Sequence, residues 1–588
     1  MSSIQRRDLI KFSAMGLGSV VVSSGLVACG GDDDGAGPTE PGASIAMSFS
    51  HGVASGDPQA DRVILWTRAL PEDVDSHSSL TVVYELASDP DFNKVLRRGE
   101  AEALAENDYT IKVDAIELSP ATEYYYRFLS NGKKSAVGRT KTLPAEGADV
   151  SQVKLAMFSC SNYPRGFFNA YSEAAKMTDL DAALHLGDYI YEYRMGEYAT
   201  EKAEMIGREL PADNDVELIE LDDYRKRYAL YRSDLGLAAL HAVVPMIVVP
   251  DDHEVANDAH IGGAENHTEA SEGDFTRRKY NALKAYFEWL PIRPASEGDL
   301  DTLYRRFQWG ELVNLMMLDT RLIARTEALS LSDARFYNSD GSFNAAAFVA
   351  AVSDEQRALL GSGQLQWLQQ QLSASNATWQ LLGQQVLMGK MNIPLEVLVQ
   401  LGAAADPAAS LAELAQIKQR QLQGDTSLSE QELARVNSVA PYNLDAWDGY
   451  QYEREVLYAS AKQLGKNLVV LAGDTHNAWA NNLVDRHGDA VGVEFAVAAV
   501  SSPGMEQYLD LDEPGAASLA QGLSLLIDDL QWANLHDRGL AVLSFSKEQA
   551  QCEWLFVDTI EEANYQLKEA STKRLSVKLG ENKLSMHS

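Results

Sequence analysis

Cysteine is almost missing from this chain: 588 residues hold three, at Cys29, Cys160 and Cys552. That excludes a small disulfide-stapled scaffold. If Cys29 is used elsewhere, an exported protein retains one possible bridge, Cys160–Cys552. Basic residues are also short. Fifty Lys and Arg face 85 Asp and Glu, a net charge of −35, and no basic patch is visible. A chain of that sign repels phosphate backbones, which argues against a nucleic-acid partner. Any anionic ligand must then be met by local cations. No apolar run reaches the roughly 20 residues of a bilayer-spanning helix. The weakly apolar stretch 15–28 is short and rich in Gly and Ser. What remains is 45% hydrophobic, enough to bury a large core, and the length allows more than one domain.

The first 28 residues read as a leader. QRRDLIKFS carries the pair Arg6 and Arg7 ahead of the weakly apolar stretch, the pattern of a twin-arginine export signal. Leu26, Val27, Ala28 and Cys29 then form a lipobox, which predicts lipidation at Cys29. Residues 29–44 are a Gly/Asp/Pro-rich flexible linker. The expected location is therefore periplasmic or cell-surface, with the twin-arginine machinery as export partner and the membrane reached through a lipid anchor only.

Residues 45–145 read as all-β. VILWTRAL, LTVVYELAS, YTIKVDAIEL and TEYYYRFLS are separated by Gly, Pro, Asp and Ser turn signals. LSPATEYYYR has the form of a tyrosine corner, with Tyr124 or Tyr126 as the corner residue, so a small fibronectin- or immunoglobulin-like sandwich is expected. From 150 to 560 short apolar strands alternate with helical stretches, an α/β domain. Two inserts, 195–220 and 393–440, either decorate the surface or wall the site. The tail, 561–588, is expected to be helical.

Four apolar runs end in ligand-type residues: VKLAMFSC at Cys160, HLGDYIY at Asp188 and Tyr191, MIVVPDDHE at Asp252 and His253, and NLVVLAGDTH at Asp474 and His476. Strand ends that deliver such groups are how an α/β sheet builds a site. Asp188 has two oxygens and can bridge two cations. Thiolate, phenolate and imidazole from Cys160, Tyr191 and His476 suit Fe³⁺, with Zn²⁺ open as an alternative. Asp252 and Asp474 offer only hard oxygens, which suit Ca²⁺, Mg²⁺ or Mn²⁺. Two such cations can clamp an in-line phosphoryl displacement. Two roles are open to Arg321: a fork for phosphate or a structural ion pair. His253 either protonates the leaving oxygen or orients a ligand. His185 reads as core, His51 and His241 as structural, His536 as a weak candidate, and Trp447 and Tyr450 as packing.

The motifs together resemble the PhoD-like alkaline phosphatase/phosphodiesterase family of the calcineurin-like metallophosphoesterases. The resemblance runs through HGVASGDP, FSCSNYP, HLGDYIYEY, DDYRKRYALYRSD, DDHEVAND, LDTR, LGSGQLQWL and WDGYQYER in order. It implies a four-layer core of two sheets flanked by helices. It also implies Fe³⁺ on Cys160, Asp188, Tyr191 and His476, and Ca²⁺ on Asp188, Asp252 and Asp474. A further oxygen ligand is open among Gln384, Gln385 and Asn257. Pro250 departs from the family, where a Trp commonly precedes Asp-Asp-His-Glu, and Arg325 lacks the acidic residue that usually follows it. The activity implied is an exported, monomeric alkaline phosphatase acting on small-molecule monoesters and diesters. The alternatives are a dedicated phosphodiesterase of the phospholipase D type and a non-catalytic envelope metal-binding protein.

Overall fold

The computed structural model describes residues 45–403 and 408–586. The expected leader, the lipobox Cys29 and the linker to 44 lie outside the described residues.

The short apolar runs become the centres of two large sheets. Val153–Phe158, Ala182–His185 and Met246–Val248 are parallel neighbours within a ten-stranded sheet. Val313–Met317, Trp379–Gly383, Asn467–Ala472 and Ala490–Ala496 run parallel within a seven-stranded sheet. These strands are mostly apolar because both of their faces are covered. Leu155, Met157, Leu184 and Ile247 point inward against Leu315, Leu381, Val469 and Val493 of the second sheet. The alternate residues Ala156, Phe158 and Ala183 point outward. They pack with residues of the helices Leu221–Arg232, Leu235–Val243 and Phe275–Trp289. On the far side, Gly361–Ala374, Gln451–Gln463 and Glu513–Leu526 cover the seven-stranded sheet. The layers are helix, sheet, sheet, helix, as expected. Cys552 faces the inter-sheet core as a small apolar residue, and both described cysteines are free thiols, so no Cys160–Cys552 bridge forms.

The N-terminal region is a sandwich, but not a separate one. Ser79–Ala87, Val95–Leu104, Glu123–Ser130, Lys133–Lys134 and Gly138–Lys141 form one sheet. The opposing strands, Val53–Gly56, Val63–Arg68 and Thr110–Ala115, continue the ten-stranded sheet beyond Met246. Val53, Leu65 and Val113 share a core with Val82, Tyr84 and Tyr126. The expected boundary at 145 thus cuts through a shared sheet, because pairing satisfies what would otherwise be an open edge at Met246–Val248. Tyr124 is the corner residue: its hydroxyl accepts from the Ser119 N–H at 2.8 Å.

The tail corrects another expectation. Lys573–Lys578 and Leu584–Met586 are strands that extend the ten-stranded sheet, and no α-helix occurs among the described residues beyond 560. Leu575 and Val577, two apart, both point into the inter-sheet core, a strand period hidden by the Lys/Glu-rich composition. In the 393–440 insert, helix Ala408–Leu422 buries Leu414 and Ile417.

Candidate metal centre

The C-terminal ends of both parallel strand sets meet on one side of the core. The sharpest local signature is conformational. Cys160, Asp188, Asp474 and His476 all have left-handed backbone, with φ of 60, 55, 61 and 62°. Such angles are uncommon for residues with a Cβ and cluster where surrounding structure enforces a functional arrangement. The enforcing contacts are specific. Glu254 accepts from the N–H groups of Asp188 at 3.1 Å, Tyr189 at 2.6 Å and Asp251 at 2.7 Å, tying two strand-end loops together. Gly187 lies so close to Asp251 that a Cβ there would sit 2.3 Å from the Asp251 Cβ. The buried guanidinium of Arg227, from helix Leu221–Arg232, donates to the carbonyls of Tyr191 and Tyr193 and fixes the loop that carries Tyr191.

One cluster forms around Cys160. Its thiol, an Asp188 oxygen and a His476 ring nitrogen all lie within 4.8 Å of one another. The Tyr191 hydroxyl donates to Asp188 Oδ2 at 2.9 Å, accepts from Ser502 Oγ at 2.6 Å, and lies 3.2 Å from His476 Nε2. His476 Nδ1 donates to the Pro503 carbonyl at 2.5 Å, which leaves Nε2 as the lone-pair end facing the cluster. Asp188 Oδ1 is buried without a partner. Burial pushes the Cys160 thiol and the Tyr191 phenol well above their ordinary values, and the Asp188 charge adds to both shifts. Both groups are therefore protonated unless a cation offsets the local negative charge.

A second cluster is all carboxylate. Oxygens of Asp251, Asp252 and Asp474 lie within 4.8 Å of one another, and Asp188, Asp252 and His253 form an overlapping group. The compensating charge is Arg321, fully buried, which donates to Asp251 at 2.5 Å, Asp445 at 3.0 Å and Asp474 at 2.6 Å. Burial pushes Asp251 and Asp474 well up, against the pull of Arg321. Burial alone would raise Asp252 too, but Arg321 and His253 hold it low. Arg325 pairs with Asp445. Of the two roles open to Arg321, the one the structure shows is the ion pair: five Asp side chains lie within 4.0 Å of its guanidinium.

His253 stands over the junction of the clusters. Its Nδ1 donates to buried Glu192 at 2.7 Å, and its ring centroid lies 4.3 Å from that of Tyr191. Burial opposes its charge, but Glu192, Asp188 and Asp252 together raise its pKa well above the usual imidazole value. A cleft of about 290 Å³ opens onto Asp188, Asp252, His253, Asp474 and His476.

A family model for the PhoD-like phosphatase matches residues 155–554, and a model for the PhoD-like phosphatase N-terminal domain matches 36–144. The chain belongs to the PhoD-like phosphatase family. Alkaline phosphatase D of Bacillus subtilis (strain 168) is 36% identical over 472 residues, 78% of this chain and 70% of that protein. A solved structure of PhoD superposes with a TM-score of 0.71 at 30% identity, covering 94% of each chain. This PhoD-like phosphatase is a phosphoric ester hydrolase, so the expectation of a non-catalytic metal-binding protein is set aside.

The structure brings together every strand-end residue singled out in the sequence. It separates others. His185 bonds Tyr171, His241 bonds Tyr189 and His51 packs on Trp289, each away from the cleft lining. His536 contacts Asp537. Trp447 and Tyr450 are core. Gln384 donates to the Val386 carbonyl and accepts from Trp447, and Gln385 bonds Thr320, Pro250 and Leu318, so both amides brace backbone. Of the three candidate oxygen donors, Asn257 alone lines the cleft of the phosphatase. Sequence reading missed Tyr193, Tyr198 and Tyr508, which also line it. Tyr193 follows Tyr191 by two residues in the tyrosine-rich YIYEYRMGEY, which was the available signal. Tyr198 belongs to the 195–220 insert, so that insert does wall the site. None of the described residues of the 393–440 insert lines it. Asp445 and Glu192 carried no signal beyond their neighbourhood.

Proposed function

We propose that this phosphatase hydrolyses phosphomonoesters and phosphodiesters at alkaline pH, using Fe³⁺ held by Cys160, Asp188, Tyr191 and His476 and Ca²⁺ held by Asp188, Asp252 and Asp474. The observation that carries this is Asp188, whose carboxylate belongs to both ligand groups and keeps one buried oxygen without a partner. The donor chemistry fits bound cations: a buried thiol, phenol and imidazole converge beside carboxylates that one arginine must hold. Zn²⁺, Mn²⁺ and Mg²⁺ are the competing ions. Bound there, two cations polarise phosphoryl oxygens and make a water acidic enough to attack. The chain's own part is positional. Glu192 fixes the His253 ring, leaving Nε2 as the end able to give a proton to the departing oxygen. Arg321 keeps Asp251 and Asp474 in place. On the reading of Arg6, Arg7 and the lipobox, the protein is exported folded by the twin-arginine route and tethered through Cys29 as a monomer.

The test is metal analysis of protein purified after native export, with paired turnover of a monoester and a diester. Iron and calcium with turnover of both esters is the expected result. Diester turnover alone turns the reading into the dedicated phosphodiesterase. Full turnover in metal-free protein overturns it. Release of a Cys29→Ser variant from the membrane fraction checks the anchor; a wild type with an unmodified Cys29 rejects it.

A further inference from the structure

The cleft lining combines two kinds of side chain, carboxylates and tyrosines. Asp188, Asp252, Asp258 and Asp474 line it, and no Lys or Arg does. Arg321 commits its guanidinium to carboxylates instead. The remaining lining is largely aromatic. Tyr198 lies nearly parallel to Tyr191 at 5.7 Å and to His253 at 6.1 Å, and packs on Tyr193 at 5.3 Å. Its hydroxyl meets that of Tyr508 at 2.9 Å. Tyr198 follows the Asp188 loop, and Tyr508 ends the short helix Met505–Tyr508, so the pair ties two loops together at the cleft. Tyr198 is wedged among rings, while Tyr508 is 60% exposed although it lines the cleft.

We propose that Tyr508, braced by Tyr198, is the specificity-determining wall for the leaving group, and that the preferred substrates are phosphoesters with a flat aryl leaving group carrying no further negative charge. This rests on the reading above that the cleft holds the scissile phosphate. An exposed tyrosine face gains by burying apolar area and by offset stacking against a flat ring. A second anionic group on the substrate meets Asp258, the lining carboxylate to which no cation is assigned, and among the described residues no ammonium or guanidinium lines the cleft to offset it. Esters with several phosphates or a carboxylate are therefore poor ligands, whereas uncharged aryl groups are good ones.

Three non-hydrolysable ligands test this on the metal-loaded full chain: phenylphosphonate, methylphosphonate and 4-phosphonobenzoate. Affinities are measured by calorimetry for the wild type, Tyr508→Ala and Tyr508→Phe; the exposed position makes all three foldable. Phenylphosphonate is expected to bind about tenfold tighter than methylphosphonate. That preference falls to about twofold in Tyr508→Ala and stays in Tyr508→Phe, which keeps the ring. The carboxylated ligand binds more weakly than phenylphosphonate throughout. Equal phenyl and methyl affinities in the wild type, an unchanged preference in Tyr508→Ala, or a carboxylated ligand bound as tightly as phenylphosphonate each overturns the wall. Binding is read without turnover, so the two readings fail separately. A protein with the aryl preference that hydrolyses no ester refutes the proposed function and keeps the wall. A protein that hydrolyses esters without the preference does the reverse.

Discussion

The Cys160–Asp188–His476 cluster and the Asp251–Asp252–Asp474 cluster are linked by the Asp188–Asp252–His253 group, yet they handle burial in opposite ways. The first contains no fixed positive charge. Its thiol and phenol avoid ionising, since burial and Asp188 push both pKa values up. The second cannot avoid charge, because its donors are carboxylates, and it is built around the guanidinium of Arg321. The first site thus needs a cation strong enough to strip protons from sulfur and phenol. The second needs one that shares carboxylates with an arginine already in place. The proposal of different ions at the two positions rests on that difference in donors.

The comparison breaks most completely at Asp188, which the proposed function gives to both cations. Asp188→Ala removes an oxygen from each and is expected to lose both cations and at least about 10³-fold in turnover. Metal content and hydrolysis of the purified variant check this. Retention of one full equivalent of either ion assigns Asp188 to a single site.

Arg321 tests the second cluster alone. Arg321→Met leaves buried carboxylates uncompensated and should destabilise the metal-free protein by about 3–5 kcal/mol. A cation bound among the same carboxylates replaces part of the lost charge, so thermal unfolding with metal present should show a smaller loss. Equal losses with and without metal mean that the cation does not sit among the Arg321 carboxylates.

The legibility of these clusters in the sequence was uneven for a physical reason. Cys160, Asp188, Asp252 and Asp474 each follow a continuous apolar run, and such a run has one fate in a doubly covered sheet. The four-layer core and the convergence of those ends were therefore readable. The shared N-terminal sheet was not, since Val53–Gly56 pairs with Met246 across about 190 positions and its own sequence names no partner. The tail was misread because buried Leu575 and Val577 are outnumbered by charged neighbours. The two roles of Arg321 stayed open because the choice depends on Asp251, Asp445 and Asp474, which only the fold gathers. Tyr198 and Tyr508 belong to different segments and acquire meaning only through their shared hydrogen bond.

Tyr191→Phe sharpens the first cluster. It keeps the ring that packs on His253 and Tyr198 and removes only the oxygen. The first cation should bind at least about 100-fold more weakly, the upper end for residues one shell further out, while the second is retained. A phenolate on Fe³⁺ absorbs visible light, so the colour of the wild type should fade in the variant. A colour that persists places the phenolate elsewhere.

The smallest expected effect concerns the remaining donor of the second cluster. Asn257 lines the cleft, and its backbone is held where the Glu192 carboxylate accepts its N–H at 2.7 Å. Its side-chain N–H group donates to Glu265 at 2.6 Å, an arrangement that turns the amide oxygen to the other side of the group. Gln385 in contrast spans Thr320, Leu318 and Pro250 inside the scaffold. Removing each side chain therefore separates ligation from architecture. Asn257→Ala should weaken the second cation by about tenfold, or about 1.4 kcal/mol, with an unfolding temperature close to that of the wild type in metal-free protein. Gln385→Ala leaves a buried hydroxyl and two carbonyls short of partners and should lower metal-free stability by about 1–3 kcal/mol. Calorimetric titration of calcium into both variants, alongside thermal unfolding without metal, reads the two effects independently. The opposite pattern, calcium lost in Gln385→Ala at unchanged metal-free stability, would assign the oxygen to the glutamine and make Asn257 a wall residue only.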